Sequence, residues 1–158
     1  MKTRRSSRVF DIFTPHSKPR KLNTNNNQTM SQAKIVTIDD DPFYKNLYND
    51  ILGTKGFEVR HALSAAEGFE LIKVYSPDLV TLDIMMPEQD KMMDGYGLLE
   101  ELRCTAGCEH LPIIMISALS EEGDIQRALD LGANDYIPKI KLTPNLLMRE
   151  INQLLKMR

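Results

Sequence analysis

From Lys34 onward, short β-branched apolar runs alternate five times with helical segments, and few architectures accept that order. Ile35-Val36-Thr37-Ile38 reads as a buried strand and ends in Asp39-Asp40-Asp41-Pro42. Asp41 is a good N-cap and Pro42 a good first helical residue, so a helix is predicted to about residue 52, stopping at Gly53. Residues 56–60 read as a second strand. Ser64-Ala65-Ala66-Glu67 has capping-box spacing and opens a helix to about Tyr75, with Pro77 beyond its end. Residues 79–83 form a third strand, and Asp94-Gly95 precede a helix to about Arg103. Residues 112–116 are the most apolar run and are expected to be central in the sheet. Ser120 is predicted to cap a helix ending at Gly132, and residues 134–137 make a fifth strand. Thr143-Pro144 start a last helix, with Leu146, Leu147, Ile151, Leu154 and Leu155 on one face.

Strands alternating with helices imply right-handed crossovers and a doubly wound α/β fold, a parallel sheet covered on both faces. Ligands of such sheets sit beyond the carboxyl ends of the strands. Strand 1 ends in Asp39-Asp40, strand 3 in Asp83 and strand 4 in Ser117, while Lys139 follows strand 5. Three carboxylates, a hydroxyl and an ammonium are thus expected at one edge. Two carboxylates roughly 5 Å apart repel by about 3 kcal/mol at an effective dielectric near 20, so three together call for a cation. Oxygen-only ligation with open positions suits Mg²⁺ better than zinc. Taken singly, each residue has a plainer reading: a helix cap, a turn serine, a solvated lysine. Their joint placement on four strand ends favours a phosphoryl site.

Composition sets the surroundings. The net charge of −2 conceals an asymmetry: residues 1–29 hold seven Lys/Arg and one acid, Asp11, whereas residues 30–158 hold 13 Lys/Arg and 21 acids. The acidic body is a poor nucleic-acid surface, which needs clustered cations. No apolar run approaches the ~18 residues of a membrane span, and no secretory apolar core is evident. The basic, Arg/Ser-rich residues 1–30 read as a disordered tail, with a transit peptide or a start at Met30 as alternatives. Cys104 and Cys108 fit a reducing cytoplasm and, with His110 alone nearby, do not make a zinc site. The nine methionines are expected as core filler, with Met92-Met93 the pair most open to solvent.

The chain resembles the receiver domain of two-component response regulators over about residues 33–157. The segments that carry the resemblance are 34–42, 77–87, Asp94-Gly95, 111–118 and 132–139. It implies a flavodoxin-like five-stranded sheet in the order 2-1-3-4-5 with five helices, as one receiver domain over residues 31–158. It implies that Asp83 accepts a phosphoryl group from a histidine kinase or histidine phosphotransfer protein. Asp39 and Asp40 would hold Mg²⁺ with Asp83 and the Met85 backbone carbonyl. Ser117 looks like the family's hydroxyl, Tyr136 like its switch aromatic and Lys139 like its lysine. The helix 4–strand 5–helix 5 face, roughly residues 120–158, would change for a downstream protein. The expected protein is a cytoplasmic stand-alone receiver without an output domain, and no enzyme beyond its own phosphorylation and dephosphorylation.

Three departures bear on the site. Six residues, 88–93, separate Pro87 from Asp94, where the family usually has two. Ile140 follows Lys139 where the family usually has a proline in a cis peptide, and a cis bond before a non-proline residue costs about 2.5–4 kcal/mol, which leaves the position of Lys139 open. Leu119 and Met85 leave little near the phosphate to orient a hydrolytic water, so a long-lived phosphorylated form is expected. Three rivals stay in view. A Mg²⁺-dependent phosphohydrolase with an aspartate nucleophile would normally carry a second acid where Met85 stands. A flavodoxin-type electron carrier would find its flavin phosphate repelled by residues 39–41. A phosphorylation-independent interaction module would not need the full acidic set.

Overall fold

A computed structural model of the protein describes residues 32–86 and 93–157. The tail, the alternative start at Met30 and the Pro87–Met92 part of the long loop lie outside the described residues. The order is β1 (Lys34–Ile38), α1 (Pro42–Tyr48), β2 (Glu58–Ala62), α2 (Ala65–Tyr75), β3 (Leu79–Leu82), α3 (Gly95–Cys104), β4 (Ile113–Ser117), α4 (Glu122–Asp130), β5 (Asp135–Pro138) and α5 (Pro144–Lys156). The strands form one parallel sheet in the order β2-β1-β3-β4-β5, the doubly wound α/β fold with five helices.

Alternation along each strand makes two cores. Val36, Ile38, Val80, Leu82, Ile113 and Met115 face one way and pack with residues of α2, α3 and α4. Ile35, Leu79, Ile114, Ile116 and Ile137 face the other way, against Tyr48 and Leu52 and, on α5, Leu147 and Ile151. Gly68 lets α2 lie close on β1, since a Cβ there would meet Ile38.

Several boundaries differ from the sequence expectation for physical reasons. The first helix tightens no further at Tyr48 but widens into a π-helical turn, Asn49–Gly53. β2 starts two residues late, because Gly56 sits at φ 84° in a turn where its N–H donates to the Gly53 carbonyl. α4 starts after Glu121 rather than at a Ser120 cap. Its end matches: Gly132 takes φ 101°, and the Ala133 N–H returns to the Ala128 carbonyl. β4 is interior but β3 is the middle strand; both are wholly buried, so apolarity reports cover on two faces and not rank in the sheet.

Candidate functional site

Register brings the acids together. Ile38 pairs with Leu82, so Asp39 and Asp83 leave adjacent strand ends side by side, and the Asp83 N–H still donates to the Ile38 carbonyl. Ligand oxygens of Asp39, Asp40 and Asp83 all lie within 4.8 Å of one another. Asp39 and Asp83 are 4% and 3% exposed, whereas Asp40 is half-buried. Asp41 does what its cap position requires, accepting from the Phe43 N–H at 2.8 Å, and stays exposed.

Each buried acid is anchored by its own loop. Asp39 Oδ1 accepts from the Asp41 N–H at 3.0 Å, and Asp83 Oδ1 from the Met85 N–H at 3.1 Å. Lys139 closes the other side: its Nζ donates to Asp83 Oδ2 at 2.7 Å and lies 2.9 Å from Asp39 Oδ2. The second approach is an ion pair without a hydrogen-bonding direction, so Asp39 Oδ2 remains a buried oxygen lacking an aligned donor. Lys139 thus contacts two of the three clustered carboxylates, Asp39 and Asp83.

The electrostatics follow from burial. Desolvation pushes the Asp39 carboxyl above its ordinary range; Lys139 and the Asp41 N–H pull it back, and the neighbouring Asp83 adds to the rise. Burial alone would lower the Lys139 ammonium, but its contacts with Asp83 and Asp39 together outweigh it and raise it.

The position of Lys139, left open by Ile140, is settled at the acids with trans peptides throughout the described residues. The segment Lys139–Lys141 makes a 3₁₀ turn instead, closed by the Leu142 N–H on the Lys139 carbonyl. Ile140 points outward, 87% exposed. One neighbour went unnoticed in the sequence: the Tyr44 ring on α1 covers the Lys139 ammonium, 3.9 Å from Nζ to the ring centre. Its signal was the Tyr44/Tyr48 pair at helical spacing beside the acidic run, which reads equally well as core.

Ser117 and Tyr136 meet at Leu119. The Ser117 hydroxyl, fully buried, accepts from the Leu119 N–H at 3.4 Å. The Tyr136 hydroxyl donates to the Leu119 carbonyl at 2.9 Å. Tyr136 is 8% exposed, so its ring lies inward, and burial pushes its phenol up to about 12, which keeps it a donor. Gly95 packs directly against the backbone of Asp83 and Ile84. A Cβ there would collide with the Asp83 carbonyl oxygen and stand 2.6 Å from the Ile84 Cα. Asp94 caps the same turn, accepting from the Gly97 N–H at 2.8 Å.

Residues 35–152 match the family model for the response regulator receiver domain. The chain belongs to the response regulator receiver family. A probable transcriptional regulator of Porphyridium aerugineum is 37% identical over 80% of this chain and 50% of its own length. A putative response regulator of Chloroflexus aurantiacus superposes with a TM-score of 0.73 at 28% identity, over 79% of this chain and 98% of its own. A CheY-like receiver domain protein of Methanospirillum hungatei does so at 0.72 and 28%, over 80% and 96%. This receiver chain spans about half the length of the first curated relatives it matches. Among the described residues no helix is long and apolar enough to cross a membrane. Receiver domains generally bind Mg²⁺ through acidic residues, and the buried aspartates here offer such a cluster.

Proposed function

We propose that Asp83 accepts a phosphoryl group from the phosphohistidine of a histidine kinase or histidine phosphotransfer protein. The observation that carries this reading is the juxtaposition of Asp39, Asp40 and Asp83 around one edge with Lys139 on Asp83 Oδ2. An Asp83 oxygen bonds to phosphorus as the donor's P–N bond breaks, and the electron pair returns to the protonated imidazole.

The all-oxygen donor set and the unaligned buried oxygen of Asp39 fit Mg²⁺. Asp39, Asp40, Asp83 and the Met85 carbonyl would hold it. When bound, it supplies charge neutralisation for the acids and the incoming phosphoryl oxygen. Lys139, already on Asp83, would pass to a phosphoryl oxygen as a point charge. Ser117 would turn its hydroxyl to another and release the Leu119 N–H.

Leu119 then carries the signal. Its carbonyl is held by Tyr136, so moving its N–H partner biases the α4–β5–α5 face toward one of two arrangements. That face is read as the docking surface for a downstream protein. In this account the chain promotes only its own phosphorylation and dephosphorylation, in the cytoplasm. Phosphoramidate should load the protein in Mg²⁺ and not in excess chelator, and hydroxylamine should strip the acyl phosphate. Equal loading with chelator contradicts the reading.

A further inference from the structure

The Lys139 ammonium has three N–H donors, and its two carboxylate neighbours leave one side open. Its own segment does not close that side. The 3₁₀ turn after it holds the backbone, and Ile140 faces solvent. What covers the ammonium comes from the far side of the sheet edge, the half-buried Tyr44 ring at 3.9 Å. A cation at that distance over an aromatic face is attracted by the ring quadrupole, more strongly where water is excluded. The Lys139 side chain is 11% exposed, so the contact is largely desolvated.

The ring is itself braced. It meets Phe43 edge-on, with ring centres 5.2 Å apart, and lies 6.2 Å from the ring of Tyr48, which is 1% exposed. α1 begins at Pro42 under the Asp41 cap. The turn that presents Asp39 and Asp40 therefore also sets the ring three residues beyond Asp41. Acids and ring reach Lys139 from one short stretch of chain.

We propose that Tyr44 is a positioning residue that holds the Lys139 ammonium against Asp83 and Asp39. Its consequence for phosphorylation rests on the function proposed above; its geometric content does not. The aromatic face does the holding, and the hydroxyl is dispensable. Phenylalanine should therefore replace it and leucine should not.

The test joins a spectroscopic readout to a double-mutant cycle on the full chain. In NMR spectra without added metal, the Lys139 ε-methylene protons should show an upfield ring-current shift in the wild type and Tyr44→Phe. The shift should vanish in Tyr44→Leu. Loading by acetyl phosphate with Mg²⁺ should slow by about three- to thirtyfold in Tyr44→Leu, the range of a cation–π contact, and hold in Tyr44→Phe. In a Lys139→Ala background, Tyr44→Leu should slow loading no further. An unshifted wild-type Lys139, or equal slowing by Tyr44→Leu with and without Lys139, overturns the proposal. Should Tyr44→Leu not fold, Tyr44→Met provides the same comparison. Should the wild type take no phosphoryl group at all, the reading of Asp83 falls, and the ring-current shift alone still decides what Tyr44 holds.

Discussion

Asp39 carries a charge that the fold tolerates poorly. Burial raises its folded pKa above the ordinary 3.8, so the folded state binds a proton more readily than the unfolded chain. Stability therefore falls as pH rises from the unfolded value through the raised one, and the ionised form is the less stable one. Asp39→Asn removes that charge, relieves repulsion with Asp40 and Asp83, and leaves Lys139 its bond to Asp83. Without metal at neutral pH it should raise the thermal midpoint by a few degrees, about 1 kcal/mol, while weakening Mg²⁺ binding in calorimetry. A lowered midpoint would contradict the electrostatic account. Lys139 has the opposite sign: its raised pKa means its pairings stabilise fully below 10.5 and are lost as pH rises through the folded value. Leu119 and Met85 bear on lifetime. The Leu119 and Met85 side chains are both apolar, and Met85 is exposed, 57% accessible. Neither offers a polar group to a hydrolytic water, so the aspartyl phosphate should outlast minutes by radiolabel chase. A half-life of seconds contradicts this.

At the scale of elements, Gly95 shows how a helix start fixes the Asp83 backbone. Its missing side chain lets the first turn of α3 rest on the Asp83 carbonyl and the Ile84 Cα. Gly95→Ala should cost about 1–3 kcal/mol as overpacking against backbone, read as a lower urea midpoint. An unchanged midpoint would show the loop giving way freely. The element order and all three acids were legible in the sequence, because strand and helix periods differ and the acids fall together on the ends of strands 1 and 3. Boundaries were less so. Gly56 reads as part of a strand until its positive φ places it in a turn. Ser120 reads as a cap, yet Glu121 occupies that position with no side-chain bond. The Tyr44 contact could not be read, since it joins α1 to the turn after β5 and depends on how those two ends meet across the sheet.

At the largest scale, the sheet of the described residues is a frame between the acidic edge and the α4–β5–α5 face proposed to respond to it. The cores on its two sides are closed by fully buried residues such as Leu82, Ile114 and Leu147. The proposed link from site to face is the pair of bonds that Leu119 makes, its N–H to the Ser117 hydroxyl and its carbonyl from the Tyr136 hydroxyl. Phosphorylation should therefore shift amide resonances most in the β4–α4 loop, β5 and the start of α5, with small changes in β2 and α2. Equal shifts spread over all elements would contradict a localised switch. Asp83 is the group on this acidic edge proposed to take the phosphoryl. The most direct measurement is intact mass after incubation with acetyl phosphate and Mg²⁺, for wild type beside Asp83→Asn. The account predicts one labile phosphate adduct on the wild type and none on the variant; no adduct on the wild type, or the same adduct on Asp83→Asn, would contradict it.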